Sequence, residues 1–220
     1  MSIADNLARV KSALPDDVTL VAVSKTKPQS DILEAYNAGQ RIFGENKVQE
    51  MVSKWEQLPQ DIEWHMIGHL QRNKVKYMAP FVALVHGVDS ERLLLEIDKQ
   101  AQKHDRIISC LLQVHIGQEQ TKFGLDANEL MALAQKVKSG GFPNIKIKGL
   151  MGMATFTTNE AQVSTEFRSL KLHFENLKEI LPDMDTLSMG MSGDYKLAID
   201  EGSTMVRIGS SIFGARNYPV

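Results

Sequence analysis

A lysine stands directly after the first apolar run of the sequence. Residues 18–24 read VTLVAVS, and Lys25 follows them. A lysine held among apolar side chains loses hydration, which lowers the pKa of its ammonium group. The neutral amine can then attack an aldehyde and form a Schiff base. Most lysines are solvated, and Lys27 fits that ordinary description. Lys25 is therefore the candidate nucleophile.

Two loops rich in glycine and serine occur near the end of the sequence. Residues 188–194 read SMGMSGD, and residues 207–211 read RIGSS. Small residues let backbone amides approach a phosphate, serine hydroxyls add donors, and a helix N-terminus adds a favourable dipole. Such residues are also common in helix caps and turns. Two such loops after consecutive predicted strands favour a phosphate site.

Lys25 and this phosphate site together suggest two kinds of chemistry. One is pyridoxal 5'-phosphate (PLP) held as a Schiff base. The other is a cofactor-independent Schiff-base aldolase acting on a sugar phosphate. Both use an amine on one side of a pocket and a phosphate cradle on the other.

The elements that must position these residues alternate regularly. Several strands, such as VTLVAV and CLLQV, are almost continuously apolar, which is typical of parallel strands covered by helices on both faces. Eight strand–helix units predict a closed (β/α)8 TIM-like barrel, with an open doubly wound sheet as the alternative. No linker interrupts the pattern, so we expect a single domain over residues 1–220. The predicted strands are 18–24, 41–43, 63–67, 81–85, 107–115, 145–151, 186–188 and 205–208.

A barrel would bring the candidate residues together. Functional groups of such barrels gather at the C-terminal ends of the strands. Lys25 follows the first predicted strand and Asn46 follows the second. The two glycine–serine loops follow the seventh and eighth. We therefore expect all of them at one mouth of the barrel.

Composition and charge exclude several classes of protein. The formal net charge is −2, without blocks of one sign, so we expect no nucleic-acid partner and no attraction to an anionic membrane. No apolar run approaches the roughly 18 residues of a membrane span. The first residues lack the apolar stretch of a signal peptide, so we expect a cytoplasmic protein. The six histidines are scattered and the single cysteine, Cys110, lies in an apolar run, so we expect no metal site.

Seven ordered segments resemble the pyridoxal phosphate homeostasis protein family. This family is similar in fold to the N-terminal barrel of alanine racemase. The resemblance runs from about residue 18 to Ala215 without a large insertion. Its segments are AVSK from Ala22, FGEN from Phe43, WHMIG from Trp64, LQRNK from Leu70, GLM from Gly149, SMGMS from Ser188 and VRIG from Val206.

The resemblance implies a role for each residue of the site. Lys25 would form the Schiff base with PLP, and Asn46 would lie near its ring. Ser192, with the backbone of Gly209 and Ser210, would hold the phosphate. Arg207 would face the pyridine nitrogen. Apart from the resemblance, Met191 is a candidate to line the cofactor pocket, together with Met151, Met153 and Met189, although gap-filling in the core is the default role of methionine. Two departures are that Ser210 stands where threonine is equally expected and that Gly193 occupies a position that is often acidic.

The family also implies a function, which is to receive, hold or hand over PLP without robust catalytic turnover. Possible recipients are PLP-dependent apoenzymes, and we expect a monomer. The alternative is a PLP-dependent amino-acid racemase, which needs acid–base groups on both faces of the substrate. In alanine racemase one such group comes from a second, β-rich domain, which the 220 residues do not include. His65 and Lys122 are the local substitutes, although we favour a packed histidine and a solvated lysine.

Overall fold

The chain folds into a closed barrel of eight parallel strands, as predicted. The computed structural model describes residues 2–119 and 123–215. Each strand pairs with its neighbours in sequence, and β1 pairs with β8 to close the ring. The strands are β1 Thr19–Val23, β2 Ile42–Glu45, β3 Glu63–Met66, β4 Leu84–Val88, β5 Ile108–Gln113, β6 Ile145–Met151, β7 Thr186–Met191 and β8 Met205–Ile208.

Helices connect the strands and cover the outside of the barrel. They are α1 Ile3–Ser12, α2 Gln29–Asn37, α3 Val48–Trp55, α4 Val75–Met78, α5 Glu91–Lys103, α6 Ala127–Lys138, α7 Glu160–Lys178, α8 Tyr195–Asp200 and α9 Ser210–Phe213, with a 3-10 turn at Arg72–Lys74 before α4. Within the part of the chain that the structure describes, no helix is both long and apolar enough to cross a membrane.

Alternation along each strand divides the buried residues into two groups. Outward-facing side chains such as Leu20 and Ala22 join the helices in one large core. Inward-facing side chains form a smaller apolar layer inside the barrel. That inner layer consists of Val21, Leu84, Leu111, Met151 and Met205.

The first helix is an element that the sequence analysis did not predict. Ser2 caps α1: its hydroxyl accepts from the Asp5 N–H, and the Asp5 carboxylate accepts from the Ser2 N–H. Leu7 and Val10 are buried. The Asn6 amide donates to the Ile212 carbonyl at 3.1 Å, which ties α1 to α9. The capping box was a usable signal, because serine and an acidic residue at this spacing typically start a helix.

The fourth strand lies three residues later than predicted. The prediction of 81–85 was wrong because the N–H groups of Phe81 and Val82 both donate to the Met78 carbonyl and close the end of α4. The ladder to β3 begins only at Ala83, whose N–H donates to the Trp64 carbonyl at 2.9 Å. The shift brings His86 into the strand.

Two other strands are longer than predicted. β2 continues through Gly44 and Glu45, whose carbonyls accept from the N–H groups of Ser24 and Ile67. β7 continues through Gly190, which has a φ of +94°. An added Cβ there would lie 2.6 Å from Ala198 Cβ, so glycine also allows α8 to pack closely.

Candidate functional site

A cavity of about 450 Å³ opens at the C-terminal ends of the strands. Its size is within the roughly 300–1,000 Å³ of typical ligand pockets. The structure brings the seven predicted cofactor-binding residues to its lining, namely Lys25, Asn46, Met191, Ser192, Arg207, Gly209 and Ser210.

Strand alternation directs Lys25 into this cavity. Val21 faces the barrel interior and Val23 lines the cavity, so Lys25 continues the inward-facing series. Ser24, on the opposite side of the chain, is fully buried, whereas Lys25 is half-buried. On β2, Gly44 faces inward toward Val21, and Asn46, directly after the strand, lines the cavity on the same side. An added Cβ on Gly68 would lie 2.6 Å from the Asn46 carbonyl oxygen, so the ends of β2 and β3 approach closely.

The loops after β7 and β8 meet on the other side of the cavity. The Gly209 N–H donates to Ser192 Oγ at 3.2 Å, which joins the two loops directly. An added Cβ on Gly209 would lie 3.2 Å from both Cβ and the carbonyl oxygen of Val23, so this strand end has little room for a side chain. Ser210 begins α9, where backbone N–H groups have no intrahelical partner. Because α9 has only one turn, the helix dipole invoked from the sequence contributes little here.

Arg207 forms part of the cavity floor. Its side chain is almost completely buried, and its guanidinium donates to three oxygens. Nη1 donates to the carbonyl of Ser188 at 2.9 Å and to its Oγ at 2.6 Å, and Nη2 donates to the Gly152 carbonyl at 3.2 Å. Burial lowers the Arg207 pKa to about 10, so the group remains cationic at neutral pH.

Two histidines extend this hydrogen-bonded chain across the barrel. His86 Nδ1 lies 3.1 Å from Ser188 Oγ, and His86 Nε2 lies 3.0 Å from His65 Nδ1. Burial lowers the pKa of His65 to about 3 and lowers that of His86 well below 6.5, so both rings are neutral at pH 7. The favoured interpretation of His65 as a packed, hydrogen-bonded residue agrees with this geometry. Sequence reasoning missed His86 because it placed β4 too early.

The walls of the cavity include residues that the sequence analysis did not select. Val23 and Ile67 add apolar surface. Both could have been found from strand alternation, since Val23 comes two residues after the inward-facing Val21 and Ile67 two residues after His65. Met153 and Met191 line the cavity as expected, whereas Met151 and Met189 are buried in the two cores instead.

Aromatic rings stand at the mouth. The Phe123 ring stacks on His69 with centroids 3.8 Å apart, and His69 Nδ1 lies 3.1 Å from Asp89 Oδ2. Phe156 also lines the mouth and is 99% exposed. Lys122, the other substitute base suggested by the sequence, lies outside the described residues.

The lining fits PLP in chemical type. It offers the amine of Lys25 after β1, a buried guanidinium, a hydroxyl and backbone amides of two joined loops, and apolar walls for a ring. Lys27 also lines the cavity, but its amine donates to the Phe213 carbonyl at 2.7 Å. The close approach of Gly209 to Val23 would be lost with any larger residue. Among residues 2–119 and 123–215, no three His, Cys, Asp or Glu side chains are grouped as a metal site would require.

Known proteins of similar sequence and structure fit this architecture. Residues 1–217 match the protein family described as alanine racemase, N-terminal domain. The pyridoxal phosphate homeostasis protein of Pasteurella multocida is 40% identical over 99% of both chains. That of Escherichia coli K12 is also 40% identical, over 98% of this chain and 97% of its own.

Solved structures show the same barrel. PipY of Synechococcus elongatus, solved with PLP bound, is 37% identical with a TM-score of 0.89 over 97% of this chain and 100% of its own. Alanine racemase of Bartonella henselae is 20% identical with a TM-score of 0.72, and the match spans 97% of this chain but 58% of the racemase. The likeness to the racemase concerns the fold alone. The chain belongs to the pyridoxal phosphate homeostasis protein family, within the larger family of the alanine racemase N-terminal domain.

Proposed function

We propose that this protein binds PLP as a Schiff base on Lys25 and serves in PLP homeostasis without robust catalytic turnover. The observation that carries the proposal is that Lys25, Arg207 and the joined loops at Ser192 and Gly209 line one and the same cavity. Relatives over nearly the full length carry the homeostasis name, and PipY was solved with PLP bound. PLP-dependent apoenzymes are the recipients that we propose.

Each part of the lining has a proposed task. Lys25 would supply the amine that condenses with the aldehyde of PLP, with loss of one water molecule. The Ser192 hydroxyl and the backbone at Gly209 and Ser210 would hold the phosphate. Asn46 and Met191 also line the cavity and would confine the ring.

Arg207 would restrain the chemistry that PLP supplies when bound, which is to accept electrons from a bound carbon centre. A permanent cation near the pyridine nitrogen would disfavour protonation of that nitrogen, and an unprotonated ring accepts electrons less readily. The three hydrogen bonds of Arg207 to Ser188 and Gly152 hold the guanidinium in place. This arrangement suits a restrained cofactor but also fits a racemase of similar fold, so the choice between the two functions rests on the acid–base groups beside the cavity.

The racemase alternative needs a second acid–base group beside the cavity. His65 is poorly suited, because it is buried, neutral and bonded to His86. His69 does line the cavity, but its ring is stacked on Phe123 and its Nδ1 faces Asp89. These contacts hold His69 at the mouth and support the non-catalytic proposal.

An absorbance scan tests the Schiff base. The purified protein with PLP should show a visible absorption band that Lys25→Ala abolishes. Lys171→Ala, which removes an exposed lysine on α7, should leave the band unchanged. A band that persists in Lys25→Ala would refute the assignment.

A chiral assay with amino acids tests the absence of turnover. We expect rates far below the roughly 1 per second of ordinary enzymes. Racemization at or above that rate, lost in Lys25→Ala, would make the protein an enzyme and overturn this part of the proposal.

A further inference from the structure

Lys25 lies in a tight turn with an unusual backbone. The Lys27 N–H donates to the Ser24 carbonyl at 3.0 Å, so Lys25 and Thr26 are the two central residues of a β-turn. Thr26 has a φ of +63°, whereas Lys25 has a negative φ. This is the pattern of a type II turn, which favours glycine at the position that Thr26 occupies. A β-branched residue in the left-handed region is strained, and such strain persists only where the surroundings impose it.

Three charged side chains contact this turn, namely Glu45, Glu50 and Lys54, which we call the charged cluster. Lys54 Nζ lies 2.7 Å from Glu45 Oε1 and 2.7 Å from Glu50 Oε1. The side chains of Lys54 and Glu45 are only 7% and 0% exposed. Glu45 ends β2, and the other two belong to α3.

Each member of the charged cluster bonds to a residue beside Lys25. Ser24 Oγ donates to Glu45 Oε1 at 2.5 Å, and Lys54 Nζ donates to the Ser24 carbonyl at 2.9 Å. The Thr26 N–H donates to Glu50 Oε1 at 2.6 Å. The charged cluster therefore forms hydrogen bonds with the chain on both sides of Lys25.

Stability alone is a weak reason for such a cluster. Burying the Glu45 carboxyl and the Lys54 ammonium costs hydration, and apolar residues of the same size often stabilise a protein as well or better. The described lining of the cavity does not include Glu45, Glu50 or Lys54. Their bonds are directed to Ser24 and Thr26, so their effect on the cavity passes through the turn that carries Lys25.

We infer that Glu45, Glu50 and Lys54 are positioning residues for Lys25. They hold the strained Ser24–Lys27 turn so that Lys25 continues the inward series of Val21 and Val23 into the cavity. The inference rests on the proposed function, in which Lys25 bonds covalently to PLP. It gives Glu45 of the FGEN segment a role of its own, besides the place of Asn46 in the cavity lining.

Glu50 is the member to change first, because it holds Thr26 and is the most exposed of the three, at 24%. In Glu50→Ala, Thr26 loses the acceptor of its N–H and can relax out of the left-handed region. We expect the dissociation constant for PLP to rise by about tenfold or more. It is measured by equilibrium titration of the visible band. Thermal unfolding of the PLP-free variant is measured in parallel.

The double variant Glu50→Ala/Thr26→Gly separates positioning from general destabilisation. Glycine adopts a positive φ without steric cost, so the turn no longer needs the Glu50 carboxylate. We expect the double variant to regain PLP affinity to within about threefold of wild type. Glu175→Ala is the matched control, since it removes the acid of the exposed i,i+4 pair with Lys171 and should leave the affinity unchanged.

The outcomes distinguish this inference from the function on which it rests. Unchanged PLP affinity in Glu50→Ala, or a loss that Thr26→Gly does not restore, would overturn the positioning role alone. A wild-type protein without a Lys25-dependent band would overturn the proposed function, and this inference with it. Loss and restoration as described would support both.

Discussion

Ser188 is the residue that joins the two buried polar groups under the cavity. A guanidinium can only donate, so Ser188 Oγ accepts from Arg207. With the hydroxyl hydrogen directed at His86 Nδ1, His86 is the Nε2–H tautomer and donates to His65 Nδ1. This assignment keeps both rings neutral, in agreement with their lowered pKa values.

Replacing Ser188 by alanine should therefore destabilise the protein. Arg207 and His86 would each lose a partner in a fully buried place, and a buried group left unsatisfied costs about 1–3 kcal/mol. Urea denaturation of the PLP-free protein measures the loss. Ser30→Ala, an exposed serine-to-alanine change, should stay within about 0.5 kcal/mol of wild type. Equal effects of the two substitutions would show that the chain of hydrogen bonds does not stabilise the fold.

Single residues were predictable where they follow an apolar strand. Lys25 and Arg207 are polar residues inside or beside apolar runs, and barrel geometry places such residues at the mouth. The charged cluster was not predictable in the same way. Glu50 and Lys54 look like an ordinary i,i+4 pair on a helix surface. Only the packing of α3 against the end of β1 shows that they contact the chain on both sides of Lys25.

At the scale of elements, β6 and β7 approach closely at Gly149. Its φ is +155°, and an added Cβ would lie 1.7 Å from the Thr186 carbonyl oxygen. Because that oxygen belongs to the neighbouring strand, no side-chain rotation could relieve the clash. β7 carries most of the SMGMS segment and β6 carries the GLM segment. The distance between these two strands therefore also determines the shape of the cavity floor.

We expect Gly149→Ala to lower the free energy of unfolding by about 3 kcal/mol or more, since strands in a closed barrel cannot separate locally. Urea denaturation of the PLP-free protein measures it. Gly193→Ala is the control, because an added Cβ at Gly193 would meet nothing within 4 Å. A small loss in Gly149→Ala would mean that β6 and β7 can shift apart.

Element types were easier to predict than element positions. Apolar runs marked all eight strands, because a strand buried on both faces has no polar side. The predicted position of β4 was wrong because residues 79–82 are as apolar as the strand itself, yet Phe81 and Val82 form turn hydrogen bonds to the end of α4. Hydrophobicity alone cannot separate a strand from a buried turn beside it.

Inside the barrel, a layer of polar side chains lies nearer the C-terminal ends of the strands than the apolar layer does. This polar layer consists of four residues from β3, β4, β7 and β8, namely His65, His86, Ser188 and Arg207. Periodicity within each strand predicts which side chains face inward. Which inward side chains meet depends on the register between strands that are distant in sequence, so the sequence could not reveal the polar layer.

The polar layer and the charged cluster give opposing contributions to stability as pH changes. Burial lowers the pKa of His65 from 6.5 to about 3, and that of His86 falls as well. Below pH 6.5 the unfolded chain binds protons that the folded chain does not, so these histidines make stability fall as pH falls.

Burial raises the Glu45 pKa from 4.5 to about 7 in spite of Lys54 and Ser24. Between these values the folded chain holds a proton that the unfolded chain lacks, so Glu45 makes stability fall as pH rises.

Glu45→Gln should therefore steepen the pH dependence of stability. Without the opposing carboxyl, the free energy of unfolding should rise more sharply from pH 5 to pH 7, by up to about 1.4 kcal/mol per pH unit relative to wild type. His86→Gln should flatten the same region, whereas His104→Gln, at an exposed position, should follow wild type. Urea denaturation at pH 5, 6, 7 and 8 measures all four proteins. A Glu45→Gln slope equal to that of wild type would mean that Lys54 keeps Glu45 ionised throughout, and that the charged cluster holds the Lys25 turn with two full negative charges.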